Sequence, residues 1–228
     1  MRSARRRPAE DDRPTLDEIT DTALAVIDED GPEALSFRAV AQRLGASHAT
    51  VFRRCGDLDG LLAACADRLA AELPEVATDT DWATATETRF HGLYEVLIAH
   101  PGLAALRAGH AWFGLRMLGR LVEPQLAHSL VAGMAPKAAI ATYRRLYLFT
   151  LGAVAFVDHR DTRRAAATAR TALAALDPED FPVLTGQLDV VLPALTDDRV
   201  YTDGLRQLID AAVADHLRSA TSADAPRP

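Results

Sequence analysis

The chain has 228 residues, 49% of them hydrophobic and 25% charged, and a formal net charge of −7. That balance excludes a disordered or fibrous protein and predicts a globular one with a sizeable core. No apolar run approaches the roughly 18 to 20 residues of a membrane-spanning helix, and the N-terminal MRSARRRPAEDDRP lacks the apolar stretch of a secretory signal.

In chain order, residues 1–14 mix arginines, carboxylates and prolines with little that is apolar, so they read as a flexible basic tail. Thr15 and Glu18 then match a capping box. Behind it Ile19, Ala23, Val26 and Ile27 recur at helical spacing until Asp30-Gly31-Pro32. Ser36 caps a short helix with Phe37, Val40, Ala41 and Leu44 inward, and Gly45 supplies the left-handed residue that ends it. Ser47 caps another short helix with Val51 and Cys55 as its inward pair. Asp57 caps a fourth, through Leu58, Leu61, Leu62, Cys65, Leu69 and Leu73 to Pro74. Longer apolar-periodic segments follow at about 81–99, 102–109, 111–133, 136–158, 182–195 and 200–217, and 159–177 reads as a connection. The expected fold is all-α. A helix-turn-helix domain over 15–62 precedes a larger helical domain over 63–217, and 218–228 form a disordered tail. Cys55 and Cys65 lie in expected helices, which argues against a mutual disulfide and fits a reducing, cytoplasmic setting.

Two short helices joined by a tight glycine turn can place the second in the major groove of DNA. With Val51 and Cys55 inward, His48, Ala49, Thr50, Arg53 and Arg54 face out or flank the tip. The tip is small and polar at its start, where base edges are approached, and basic at its end, where phosphates lie. From Val40 to Arg54 there is no carboxylate; the charges are Arg43, Arg53 and Arg54, with Arg38 upstream. Small tri-helical units also serve as plain packing elements.

The stretch Ile19 to Leu62 resembles the N-terminal domain of the TetR family of transcriptional repressors. The matching elements are Ile19-x₃-Ala23-Leu24, then Glu29-Asp30-Gly31, then LSFRAVAQRLGASHATVFRR from Leu35, then Gly60-Leu61-Leu62. The resemblance implies that Arg38 and Ser47 contact DNA, that His48, Ala49 and Thr50 form the reading tip, and that Phe52, Arg53 and Arg54 lie beside the backbone. Three departures from the family's pattern stand out. Phe52 stands where a tyrosine is usual and loses a hydroxyl, Arg54-Cys55 stands for His-Phe, and Leu58 stands for a lysine.

The rest of the chain resembles the tetracycline-repressor type of C-terminal domain, through AHPGLAAL from Ala99, YRRLYLFTLGAV from Tyr143, LDPEDFPVL from Leu176 and YTDGLRQLID from Tyr201. This resemblance implies a small-molecule pocket framed by the middle helices, near Arg89, Leu93, Trp112, Phe113 and Met117, with Arg107 and His110 at a turn. Core packing suits the same aromatics, and Trp82, Phe90 and Tyr94 suit it better. The resemblance also implies a homodimer in which two late helices pair with those of a second subunit. Independently, Ile140, Tyr143, Tyr147, Leu151 and Val154 make one apolar stripe, and Tyr201, Leu205, Leu208, Ile209, Ala212 and Val213 another. A partner or the chain's own core could cover them.

His91 with Glu95, and His100 with His110, form no compact ligand cluster, so no metal is expected, and no cofactor. No G-x-S-x-G, H-E-x-x-H, P-loop or dinucleotide fingerprint points to an enzyme. The expected function is a transcriptional repressor bound to a palindromic double-stranded DNA operator and released by a small-molecule inducer, without a membrane. The alternative is a DNA-binding regulator controlled by a protein partner.

Overall fold

The computed structural model describes residues 13–100, 102–103, 114–155, 162–194, 197 and 199–223. They form helices and turns, with no strand among the described residues, and divide into two compact units. One takes the described residues up to Glu75 and those from Ala99 to Pro124; the other takes those of 76–98 and everything from Gln125 onward.

In the first unit α1 (Leu16–Asp30) opens on the expected capping box, Thr15 N–H donating to the Glu18 carboxylate at 2.7 Å and Glu18 N–H to Thr15 Oγ1 at 3.2 Å. It ends at Gly31. Ser36 caps α2 (Phe37–Arg43), Ser47 caps α3 (His48–Cys55) and Asp57 caps α4 (Leu58–Ala70). Between α2 and α3 the chain turns through Gly45 at φ +63°, a conformation a Cβ would oppose. Ile19, Ile27, Val40, Val51, Leu61 and Cys65 are fully buried, and each apolar side chain of this kind contributes about 1.5–3 kcal/mol. The boundary expected at 62/63 falls inside α4. The whole helix belongs to this unit because Leu61, Leu62, Cys65 and Leu69 share one buried face, packed on α1.

The second unit is built on α5 (Trp82–Ala99), with Phe90, Leu93 and Leu97 in its core. Helix α6 starts in the first unit as one α-turn at Leu115–Met117, widens to a π-turn over Leu118–Val122 and continues as Glu123–Val131, its residues from Gln125 onward belonging to the second unit. Then come α7 (Pro136–Ala155), α8 (Thr162–Ala174), α9 (Pro182–Gly186), α10 (Leu188–Ala194) and α11 (Arg199–Ala223). Helix α7 packs along α11, while α8, α9 and α10 pack on one another.

Three expectations are corrected. The stretch read as a connection at 159–177 contains α8, a run of alanines and arginines whose intrinsic helix preference is high although it lacks a continuous apolar stripe. The single segment 182–195 is two short helices. The tail expected from 218 is helical to Ala223; residues 1–12 and 224–228 lie outside the described residues. Among the described residues no helix is long and apolar enough to cross a membrane.

Candidate functional site

Helix α3 begins where Ser47 Oγ accepts the Thr50 N–H at 3.2 Å and meets the Thr50 hydroxyl at 2.8 Å. Val51, fully buried, anchors it from below, so Ser47, His48 and Ala49 are exposed and Thr50 half-exposed. The outer side is held by rings. Phe37, the first residue of α2, meets His48 and Phe52 edge-on at 5.7 and 5.8 Å, and His48 lies parallel to Phe52 at 6.3 Å. Phe52 keeps 49% of its surface exposed, as a residue with a second role outside the core would. Arg53 Nε donates to the Ala49 carbonyl at 3.1 Å, and Arg38 and Arg54 are exposed.

Arg43 does not join this basic face. Its guanidinium reaches Glu29 and Asp30 at 2.7 Å each. A stretch free of carboxylates in sequence therefore meets two of them in space, and the charge of Arg43 is spent on tying α2 to the end of α1. Cys55 is half-buried and burial raises its thiol pKa; burial pushes that of Cys65 up to about 12. Neither is an activated nucleophile.

Arg54 lines a cleft of about 380 Å³ together with Leu16, Asp17, Cys55, Gly114 and Arg116. At its far side Asp67 of α4 accepts the backbone N–H groups of Arg116 at 2.7 Å and Met117 at 3.1 Å, capping the start of α6. Gly114 lets the two segments approach. A Cβ there would run into the Asp67 carboxylate and lie 2.7 Å from the Ala63 carbonyl oxygen. No local pattern announces Asp67, whose cap acts on a helix some fifty positions later.

In the second unit Arg89 is buried, 3% exposed. Its Nη1 donates to Gln125 Oε1 at 3.2 Å and its Nη2 meets His128 Nδ1 at 3.1 Å. A guanidinium has only N–H groups to offer, so Nδ1 accepts and the neutral imidazole carries its proton on Nε2. Gln125 Nε2 donates in turn to Thr86 Oγ1 at 2.8 Å. Ser129 accepts the Trp82 indole N–H at 2.9 Å. Burial lowers the Arg89 pKa. Gln125 and His128 escaped the sequence reading, although their i, i+3 spacing puts them on one helix face.

Leu93 is buried on the same helix as Arg89. Met117 is buried too, in the first unit. Arg107, His110, Trp112 and Phe113 lie outside the described residues. Trp82 and Phe90 are core residues, and Tyr94 stacks on Tyr201 at 3.9 Å. His91 faces Glu95 at 3.5 Å and His100 binds Asp28 at 2.7 Å.

The family model described as the tetracyclin repressor-like C-terminal domain matches residues 73–212, more than half the chain, and that for bacterial regulatory proteins of the tetR family matches residues 19–65. The chain belongs to the TetR family.

Among solved structures, Streptomyces coelicolor ActR in complex with actinorhodin is 25% identical, with a TM-score of 0.72 over 89% of this chain and 98% of ActR. ActR in complex with (S)-DNPA is 25% identical, with a TM-score of 0.70 over the same shares. A TetR variant from Acinetobacter baumannii in complex with minocycline is 20% identical, with a TM-score of 0.61 over 87% of this chain and 96% of that one, which shows the fold alone. No curated protein matches the chain. As a TetR-family regulator it carries the family's helix-turn-helix DNA-binding domain and its C-terminal ligand-binding domain.

The two apolar stripes divide between core and surface. Tyr143, Val154, Leu205 and Ile209 are buried within this one chain, in which α7 packs along α11. Tyr147, Leu151, Leu208 and Ala212 are half-buried, and Ile140 is exposed. Leu208 and Ala212 line a groove of about 200 Å³ with Thr142 and Arg145. The sequence stripe is wide because it serves the intramolecular seam first.

Proposed function

We propose that this TetR-family regulator is a cytoplasmic repressor that holds a palindromic operator as a homodimer and lets go when a small molecule binds its larger unit. One observation carries the DNA side: α3 presents exposed small polar groups at its start and exposed Arg53 and Arg54 at its end, while Arg43 is neutralised on the far side by Glu29 and Asp30. Ser47, His48, Ala49 and Thr50 then approach base edges, and Arg38, Phe52, Arg53 and Arg54 follow the phosphates. The half-buried Tyr147, Leu151, Leu208 and Ala212 form the partner contact. Support for a ligand comes from ActR, a structural neighbour in complex with actinorhodin and with (S)-DNPA, and from the buried polar group around Arg89.

Two reading heads enter successive major grooves on one face of the duplex when they stand about 34–36 Å apart. A ligand that favours any other spacing releases DNA, and a coupling of about 3 kcal/mol lowers operator affinity roughly 150-fold. The experiment is a screen for compounds that raise the melting temperature, each hit then titrated against the operator complex. Release by at least one stabilising compound is expected. If every such compound leaves the complex intact, control by a protein partner replaces this reading.

A further inference from the structure

Arg89 is the one charged side chain that is buried among the described residues. A guanidinium remains protonated inside a protein, and a buried charge without a counter-charge is strongly unfavourable. The partners present are neutral: the Gln125 amide oxygen and the His128 imidazole. The acids of its own helix are turned elsewhere, Glu87 to Arg206 at 2.8 Å and Glu95 to His91 at 3.5 Å. The Gln125 amide is itself oriented through Thr86, so the plane of the guanidinium fork is set before anything binds.

We propose that Arg89 is the anion-recognition point of the ligand site, and that the effector is an organic acid whose carboxylate pairs with this fork. The assignment rests on the ligand-responsive reading given above and adds the chemical class of the ligand. A carboxylate matches a guanidinium with two parallel N–H···O bonds. It supplies the counter-charge that is missing among the described residues, whereas a neutral isostere supplies none.

The test is thermal denaturation of the full chain with acetate, benzoate and naphthalene-2-carboxylate, each beside its primary amide at matched ionic strength. At least one acid should raise Tm by about 3–5 °C at roughly ten times its Kd, under conditions where its amide does not. Arg89→Met should lose that difference, and Arg89→Lys, which keeps the charge without the fork, should retain part of it. The proposal is overturned if no acid exceeds its amide, or if Arg89→Met keeps the full acid-specific shift. The wild-type comparison needs no variant, so it decides the matter even where Arg89→Met fails to fold. Operator binding followed in the same titrations separates the two readings. Acid-specific, Arg89-dependent stabilisation without DNA release upholds the anion point and removes induction; release by neutral compounds, unchanged in Arg89→Met, upholds induction and removes the anion point.

Discussion

In the first unit the cations that meet helix ends and neighbouring segments come with acids: Arg43 with Glu29 and Asp30, Arg68 with Asp21, Arg120 with Glu75. Its Asp67 likewise receives two N–H groups. In the second unit the buried cation, Arg89, is met by an amide and an imidazole. The exposed pairs of the first unit add little stability; they fix orientation. These arginines of the first unit are matched by acids within the fold, whereas the second unit buries a charge whose partners among the described residues are neutral.

The largest expected effect on the first unit's internal fit is at Gly114. In Gly114→Ala the new methyl must displace Asp67 from its cap or push away the Ala63 carbonyl, and overpacking of this kind costs about 1–3 kcal/mol. A Tm lower by about 2–12 °C is expected; a melting curve like the wild type's would mean that the α4–α6 contact is slack. Next comes the neutral polar wiring of the second unit. The Tyr201 hydroxyl donates to the Phe90 carbonyl at 2.9 Å and meets Thr150 Oγ1 at 3.0 Å, and burial raises its pKa. Tyr201→Phe keeps the ring stack and loses those bonds, so urea denaturation should show a loss of about 1–2 kcal/mol. An unchanged midpoint would show that the hydroxyl is dispensable.

The smallest effect sharpens the contrast between paired and unpaired arginines. Arg54→Ala should lower the slope of log affinity against log salt by about one unit, for operator and random DNA alike. Arg43→Ala should leave that slope unchanged, because its charge is already matched within the fold. A fall in slope for Arg43→Ala would show that its ion pairs open on DNA. Selective loss at one base pair for Arg54→Ala would make Arg54 a base reader instead.

The helix-turn-helix was legible because its signals are local: Thr15, Ser36, Ser47 and Asp57 all cap the helices expected of them, and Gly45 has the positive φ its place demands. Burial of Val40 and Val51 followed from spacing alone. What escaped depends on distant partners. Nothing around Arg43 announces that α1 ends beside it, nor does anything around Asp67 announce the start of α6. The polar group at Arg89 was half legible, since the resemblance put Arg89 near a pocket but gave no hint of Gln125 and His128, which come from another helix. Helix α8 was missed for a different reason: it follows propensity, whereas the reading followed apolar periodicity.

The ring cluster of Phe37, His48 and Phe52 has a thermodynamic consequence. A side chain at a binding tip ordinarily loses rotamer freedom when it docks, at about 0.5–1.5 kcal/mol for each group immobilised. Here His48 lies parallel to Phe52, and Phe37 closes on both from α2, so part of that loss is incurred during folding. On the DNA-reading role proposed for α3, these rings dock as a preset shape, and the remaining cost falls on the exposed arginines beside them.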